Sequence, residues 1–331
     1  MHPVMKKWLG RTALLSALLC LPPPSALATG PVEPLRPATC TVESMLEDVR
    51  AGLKGGSPAL QRYLKLRLKE AAIAMPAEAL QAALAREKDP AVLEALGAAL
   101  ATKASNAENP SLVQPLLARA TGDADPSVRA AAVRSLRAMP SVEFMAKNGG
   151  VVNYEQLVRD PSPEVRTAVA ENLVAESAEV YSGHDRRVSE TAVSVAAAAN
   201  DPAVAAKLLG EVSMEAVGPE AVAQVTKQLR SDDARLRASA ATALGGVPGG
   251  EVEGARRSLV ELYRTDSDPA VRKAALQGLA RLGQSGARPL LESLRGVDRA
   301  MDPEIDAWLS AMSLNLQEWE LLLREKQRLR R

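Results

Sequence analysis

The stretch GDADPSVRAAAVRSLRAM, residues 122–139, combines a turn-forming start with a run of small apolar residues. Asp125 is a good helix N-cap, because its side chain can accept a hydrogen bond from a first-turn backbone N–H. Pro126 follows with φ already suited to a helix and no N–H to leave unpaired. Apolar residues then recur every four positions from Val128 to Leu136, which places them on one helix face. The stretch therefore predicts a capped helix that buries one side.

The same pattern recurs along most of the chain, at starts 32 to 39 residues apart. Proline follows the capping residue in all copies but one, where Ala234 replaces it. A self-similar period of this length is typical of a solenoid, in which each unit packs only on its neighbours. An amphipathic segment precedes each copy, so the expected unit is a pair of helices. The copies start at Ser57, Asp89, Asp125, Ser162, Asp201, Asp233, Asp268 and Asp302.

The composition agrees with an all-α fold. Hydrophobic residues make up 47% of the chain but aromatic residues only 2%, so the core must consist of Ala, Leu and Val. Ala and Leu favour helices, and small side chains let helices approach closely. A β-sandwich would carry more aromatic and β-branched residues. We predict an all-α solenoid of about eight antiparallel helix pairs.

The run D-x-D-P-x-V-R-x-x-A, at 123–132 and 266–275, resembles HEAT-like repeats of the phycobilin-lyase type. The resemblance implies a right-handed superhelix whose second helices line a concave surface. It also implies that the turn acid and the arginine after the valine link neighbouring repeats. That arginine is absent at four copies, so the series of links is interrupted at Gln61, Leu93, Ala205 and Asp306. The implied structural residues are Asp125 with Arg129, Asp160 with Arg166, Asp233 with Arg237, and Asp268 with Arg272.

The N-terminus has the order of a secretory signal peptide. A basic start precedes an apolar run over 13–21, and a small-x-small pattern ends at Ala28. A lipid anchor at Cys20 is the less favoured alternative, because Leu19 stands where a small residue is expected. No other stretch is long and apolar enough to span a membrane. We expect an exported protein, periplasmic or secreted, with envelope association left open.

The chain thus divides into four predicted segments. Residues 1–28 form the signal peptide and 29–40 a proline-rich linker. The solenoid occupies 41–313, and a capping helix occupies 314–331. Two stretches, 141–156 and 181–187, interrupt the helical pattern, and the sequence leaves their role open.

Charge and residue usage restrict the function. The 41 basic and 40 acidic residues nearly cancel, which argues against a nucleic-acid partner. His184 is the single histidine after the predicted cleavage site, too few for the common His/Cys-rich metal sites. We therefore predict no catalytic residue, no cofactor and no metal. The expected function is a non-catalytic scaffold that binds a protein or peptide along its concave face.

Two alternatives stay open: an enzyme or enzyme-maturation factor of the phycobilin-lyase-like class, and a structural envelope protein that self-associates. If the scaffold is correct, the contact residues should be those six positions after each apolar anchor, on the outward side of the second helices. The candidates are Arg134, Glu171, Thr242 and Gln277.

Overall fold

The computed structural model describes residues 42–138, 152–179 and 186–329, and every regular element within these ranges is helical. The chain divides into two compact units, Met1–Met45 and Leu46–Arg331. Of the described residues, 42–45 belong to the first unit and all others to the second. The predicted signal peptide and linker lie outside the described residues, as do 141–151 and 181–185 of the two interruptions. Among the described helices, none has the length and apolar character needed to cross a membrane.

The described residues form seventeen α-helices, joined by turns and four short 3₁₀ segments. In chain order they are α1 (Val42–Gly55), α2 (Pro58–Ile73), α3 (Ala77–Arg86), α4 (Pro90–Asn106), α5 (Gln114–Gly122), α6 (Pro126–Ser135), α7 (Tyr154–Leu157), α8 (Pro163–Glu179), α9 (Arg186–Ala198), α10 (Pro202–Glu211), α11 (Pro219–Gln228), α12 (Ala234–Leu244), α13 (Val252–Thr265), α14 (Pro269–Gly283), α15 (Arg288–Leu294), α16 (Asp302–Met312) and α17 (Trp319–Leu329).

The helices pack as eight successive pairs, which confirms the predicted all-α solenoid. The even-numbered helices from α2 to α16 are the second helices of the pairs, and each contacts the next even-numbered helix in the row. The odd-numbered helices from α1 to α15 are the first helices. They contact one another more sparsely than the second helices do. Helix α17 follows the last pair and packs on α16.

The second helices begin where the sequence pattern places their caps. The Asp125 carboxylate accepts a 2.9 Å hydrogen bond from the Ser127 N–H, and Asp268 accepts one of 2.7 Å from Ala270. The exception is α16, which begins at Asp302 itself with Met301 as its N-cap. Asp302 instead accepts a hydrogen bond from Gly296, so its expected capping role is wrong. The Asp302 carboxylate is therefore bonded to the turn that precedes α16 and not to the first turn of that helix.

Close packing between neighbouring second helices depends on glycine and alanine. A Cβ built on Gly278 of α14 would lie 2.6 Å from the backbone oxygen of Ala241 in α12. A Cβ on Gly97 of α4 would lie 2.5 Å from the Ser135 hydroxyl oxygen, at the end of α6. These distances are below any ordinary carbon contact. The small residues therefore set how closely the row of second helices can stack.

Two of the few aromatic residues hold the last helix, α17, against α16. Trp308 of α16 is fully buried and stacks on Trp319 of α17, with 5.5 Å between ring centroids. Lys326 of α17 forms a buried ion pair with Glu304 of α16, and its ammonium lies 4.7 Å from the Trp308 ring. Such a stack and cation–π contact add to the apolar burial. Helix α17 is thus held on the last pair by specific contacts.

Candidate functional site

Arginines near the start of several second helices bind an acid of the following pair. In α6, the Arg129 guanidinium donates to both carboxylate oxygens of Asp160, at 2.9 and 2.8 Å. Both side chains are about one-tenth exposed, at 11% and 10%. The remaining guanidinium nitrogen donates to the Asp123 backbone oxygen of the arginine's own turn, at 2.8 Å. Equivalent links join Arg166 to Asp201, Arg237 to Asp266, and Arg272 to Asp298.

The resemblance implies that the turn acid and the arginine of a repeat link it to its neighbour, and in the structure the arginine makes this link while the acid four residues before it does not. Arg129 binds Asp160 of the next pair, and Asp125 in its own turn serves as the cap. Asp233 and Asp268 are likewise caps, of α12 and α14. The spacing of four residues therefore reflects two separate roles. A cap must point into the first turn, whereas an arginine one turn later can reach the neighbouring repeat.

In two of the four links the acid stands two positions before the cap: Asp160, which the repeat resemblance pairs with Arg166, and Asp266, which is not among the predicted residues. The Asp160 carboxylate accepts the Ser162 N–H at 2.8 Å, and the Asp266 carboxylate accepts the Asp268 N–H at 2.9 Å. Each such acid thus shapes its own turn and also receives the arginine of the preceding pair. The signal that could have revealed it is the acid recurring two positions before the cap.

The links shift the pKa values of the acids and arginines that form them. Burial opposes ionisation of Asp266, but hydrogen bonds from Arg237 and from the Asp268 N–H outweigh it and lower the pKa of this carboxyl. The pKa of Asp160 is lowered in the same way, with Arg129 as donor. The hydrogen bond to the acid raises the pKa of each arginine. These carboxylates therefore stabilise the folded chain in their charged form.

At the N-terminal pairs, first helices supply the links. The arginine position of α4 is Leu93, as the sequence shows. Here Arg50 of α1 forms a 2.6 Å ion pair with Glu87, and Arg119 of α5 donates to the Glu87 backbone oxygen at 2.8 Å. Glu87 is buried in the turn before α4. At these pairs the arginines that link neighbouring repeats therefore lie on first helices and not on second helices.

The four candidate contact residues lie on four different second helices. Arg134 of α6 is half-buried, 3.6 Å from Glu164 and 3.8 Å from Glu171, both on α8. The Thr242 hydroxyl of α12 donates to the Ala238 backbone oxygen at 3.1 Å, and Gln277 of α14 is half-buried. The structure therefore brings Arg134 and Glu171 together and spaces the other two further along the row.

Three open clefts lie outside these positions. One of about 480 Å³ lies between α5 and α7 and includes Thr121, Gln156 and Arg159. A second, of about 460 Å³, runs along α13 and reaches Leu290. A third, of about 450 Å³, is lined by Trp319 together with residues of the turn after α12 and the end of α14. The candidate contact residues line none of these three clefts.

Metal-ligating residue types are dispersed in the part of the chain that the structure describes. No three His, Cys, Asp or Glu side chains within 42–138, 152–179 and 186–329 come together in an arrangement that could hold a metal ion. His184 lies outside the described residues.

Comparison with known proteins gives two family matches. The family described as HEAT repeats matches residues 222–305, from α11 into α16, and the HEAT repeat associated with sister chromatid cohesion matches 108–136. No curated protein matches the chain.

Several solved structures match the chain at low sequence identity. A chain of the Kap95:Nup1 complex is 17% identical, with a TM-score of 0.47; the match covers 82% of this chain and 40% of that one. An engineered protein is 19% identical, with a TM-score of 0.39 and coverage of 85% and 76%. A second engineered protein is 18% identical, with a TM-score of 0.29 and coverage of 86% and 94%. The present chain thus spans less than half of the Kap95:Nup1 complex chain that it matches.

Proposed function

We propose that the chain is a protein-interaction scaffold that binds a protein or peptide along the outward positions of its second helices. The observation that carries this proposal is the continuous row from α2 to α16, in which every second helix contacts the next. The first helices contact one another more sparsely, so the second helices form the tighter layer of the stack. In this proposal that layer is the concave surface that the repeat resemblance implies, and it would present one face to an elongated partner.

The side chains on this surface suit broad contact. Ala98 of α4 and Ala238 of α12 are small and half-buried. The charged groups, such as Lys207 and Glu211 of α10, pair with each other at 3.2 Å while remaining 36% and 50% exposed. Exposed pairs of this kind contribute little to stability, roughly 0–1 kcal/mol. A partner can therefore exchange them for its own charges at small cost.

The type of fold also favours binding. HEAT-repeat solenoids are typically non-catalytic. Their function lies in an extended surface, because each repeat contributes a few contacts and the array sums them. An interface along several helices can reach the area of a stable complex, about 1,200–2,000 Å² in total. We therefore infer a binding role and place no reaction on this chain.

Site-specific photo-crosslinking tests the proposal. A photoreactive residue at Thr242 or Gln277, on the second-helix face, should give discrete adducts in cells. The same residue at Arg257 or Glu261, on the exposed side of α13, is the matched control and should give none. Arg134→Glu should weaken the adducts at Thr242, because the partner must pass along the same row. Equal adducts from both faces, or none from either, would contradict the scaffold.

We also propose that the protein is exported, with residues 1–28 removed and Thr29 as the new N-terminus. The support is the basic start, the apolar run and the small residues before the cleavage point. The intact mass of protein recovered from the cell envelope or medium tests this, and we expect the mass of residues 29–331. A mass corresponding to a lipid-modified chain beginning at Cys20 would establish the less favoured anchor. A full-length mass in the cytoplasm would refute export.

A further inference from the structure

The large apolar side chains that are exposed in the described residues lie at the two ends of the stack. At the N-terminal end they all belong to α2: Leu60 is 43% exposed, Tyr63 50% and Leu66 53%. The others lie near α16 and α17, at Val297, Leu314, Leu321 and Leu329. The described helices between the ends expose no large apolar side chain. The exposed apolar side chains of α2 are therefore a feature of the N-terminal end of the described stack.

Helix α2 is the first second helix of the described row, and α4 covers one of its sides. Leu68 and Ala72 are buried, whereas Leu60, Tyr63 and Leu66 face away from that contact. At 100° per residue the three exposed side chains fall within about 120° of the helix circumference, forming one stripe. Terminal repeats of solenoids normally carry a polar outer face. The stripe on α2 does not follow that pattern.

Basic side chains accompany the stripe. Helix α2 contains four of them, Arg62, Lys65, Arg67 and Lys69, against the single acid Glu70. Lys65 forms a 3.1 Å ion pair with Glu94 of α4, and Arg67 forms one of 2.8 Å with Glu70. By the same helical geometry, Arg62 and Lys69 lie along one edge of the stripe. Arg67 and Glu70, which pair with each other, fall within the same arc further along the helix. The exposed side of α2 is therefore apolar from Leu60 to Leu66 and carries Arg62 and Lys69 along one edge.

We propose that this side of α2 docks on the surface of a lipid bilayer that contains anionic phospholipid. An interfacial helix buries an apolar stripe at the headgroup boundary while Lys and Arg meet the lipid phosphates. Tyrosine suits that boundary, because its ring is apolar and its hydroxyl is polar. The proposal concerns a different surface from the scaffold face and does not depend on it.

Two other occupants fit the geometry less well. A peptide helix docks in a groove between helices, whereas the stripe is the convex side of one helix and the three clefts described above lie elsewhere. A second copy of the chain would bring two α2 helices of the same positive charge together. Like charges facing each other across an interface are unfavourable. A flat anionic surface satisfies both the shape and the charge.

The test is co-sedimentation of the full chain, as the cell processes it, with vesicles of phosphatidylglycerol and phosphatidylcholine. The variant Leu60→Ser/Tyr63→Ser/Leu66→Ser should bind at least tenfold more weakly, and these exposed positions should leave thermal unfolding unchanged. Arg62→Gln/Lys69→Gln should weaken binding about fivefold for each charge removed. The matched control Val297→Ser/Leu314→Ser/Leu321→Ser, at the other end, should bind as the parent does.

Four results would overturn the proposal. They are equal binding to vesicles of phosphatidylcholine alone, full binding by the α2 variants, an equal loss in the control variant, and an α2-dependent dimer that forms without vesicles. Binding retained by the α2 variants would assign any membrane contact to another part of the chain. None of these results bears on the crosslinking expected from the second-helix face.

Discussion

Replacing Gly278 by alanine tests whether glycine sets the spacing of the second helices. The new Cβ would lie 2.6 Å from the Ala241 backbone oxygen and 2.9 Å from a terminal carbon of Leu259. Real Cβ atoms essentially never approach other atoms within 3.0 Å, so α12 and α14 must separate by at least about 0.4 Å. The leucine can rotate, but the backbone oxygen cannot yield without moving a helix.

The magnitude follows from two opposing effects. Alanine in a helix interior gains up to about 1 kcal/mol over glycine. Overpacking of a core contact costs about 1–3 kcal/mol, and a clash with backbone belongs at the upper end. The net expectation for Gly278→Ala is a loss of about 2 kcal/mol in the free energy of unfolding. For a unit of this size that corresponds to a fall of about 3 °C in Tm.

Urea and thermal unfolding followed by circular dichroism provide the measurement. Gly254→Ala is the matched control, because Gly254 also lies inside a helix, α13, and its added Cβ would have no neighbour within 4 Å. We expect that variant to be as stable as the parent or up to about 1 kcal/mol more stable. If Gly278→Ala proves as stable as Gly254→Ala, the argument that glycine fixes the helix spacing is wrong.

Three further predictions concern a cap, a link and the end of the array. Asp233→Ala should lower the free energy of unfolding by about 1 kcal/mol, because the α12 cap is lost, whereas Asp232→Ala should leave it nearly unchanged in the same urea titration. The pKa of Asp266 is lowered from 3.8, so its stabilisation is present above about pH 4 and is lost as pH falls through the folded pKa. Asp266→Asn should therefore flatten the acid limb of a stability–pH curve, and an unchanged acid limb would show that the link does not titrate. Lys326→Ala removes one member of the buried pair with Glu304, so amide exchange across α17 should speed up while that of α12 stays as in the parent, and equal exchange in α17 would refute the role of the pair.

The repeat architecture could be read from the sequence because it depends on local signals. A capping Asp or Ser and a following proline act within one turn, and the period places each second helix. The caps at Asp125, Asp201 and Asp268 follow from those signals alone. Asp302 shows where they fail. The carboxylate is drawn to the Gly296 N–H, and nothing in the residues DPEI signals that competition.

The direction of the arginine links was harder to predict. Arg129 has an acid four residues before it in Asp125 and another two positions earlier in Asp123. Its actual partner, Asp160, is 31 residues away and is selected by how the pairs stack. The pairing of Arg134 with Glu171 depends on the same stacking. The likeness to the phycobilin-lyase type of repeat remains a prediction from the sequence.

The forward direction of the links has a consequence for synthesis on the ribosome. Arg129, Arg166 and Arg237 find their acids 31, 35 and 29 residues further along the chain. When a second helix emerges, its arginine has no carboxylate until the next turn has also been made. At these three junctions the newest repeat therefore lacks its link until the next one has been made, and each addition completes the repeat before it. Since every such contact spans only about one repeat, the chain can fold in step with its translation without waiting for distant segments.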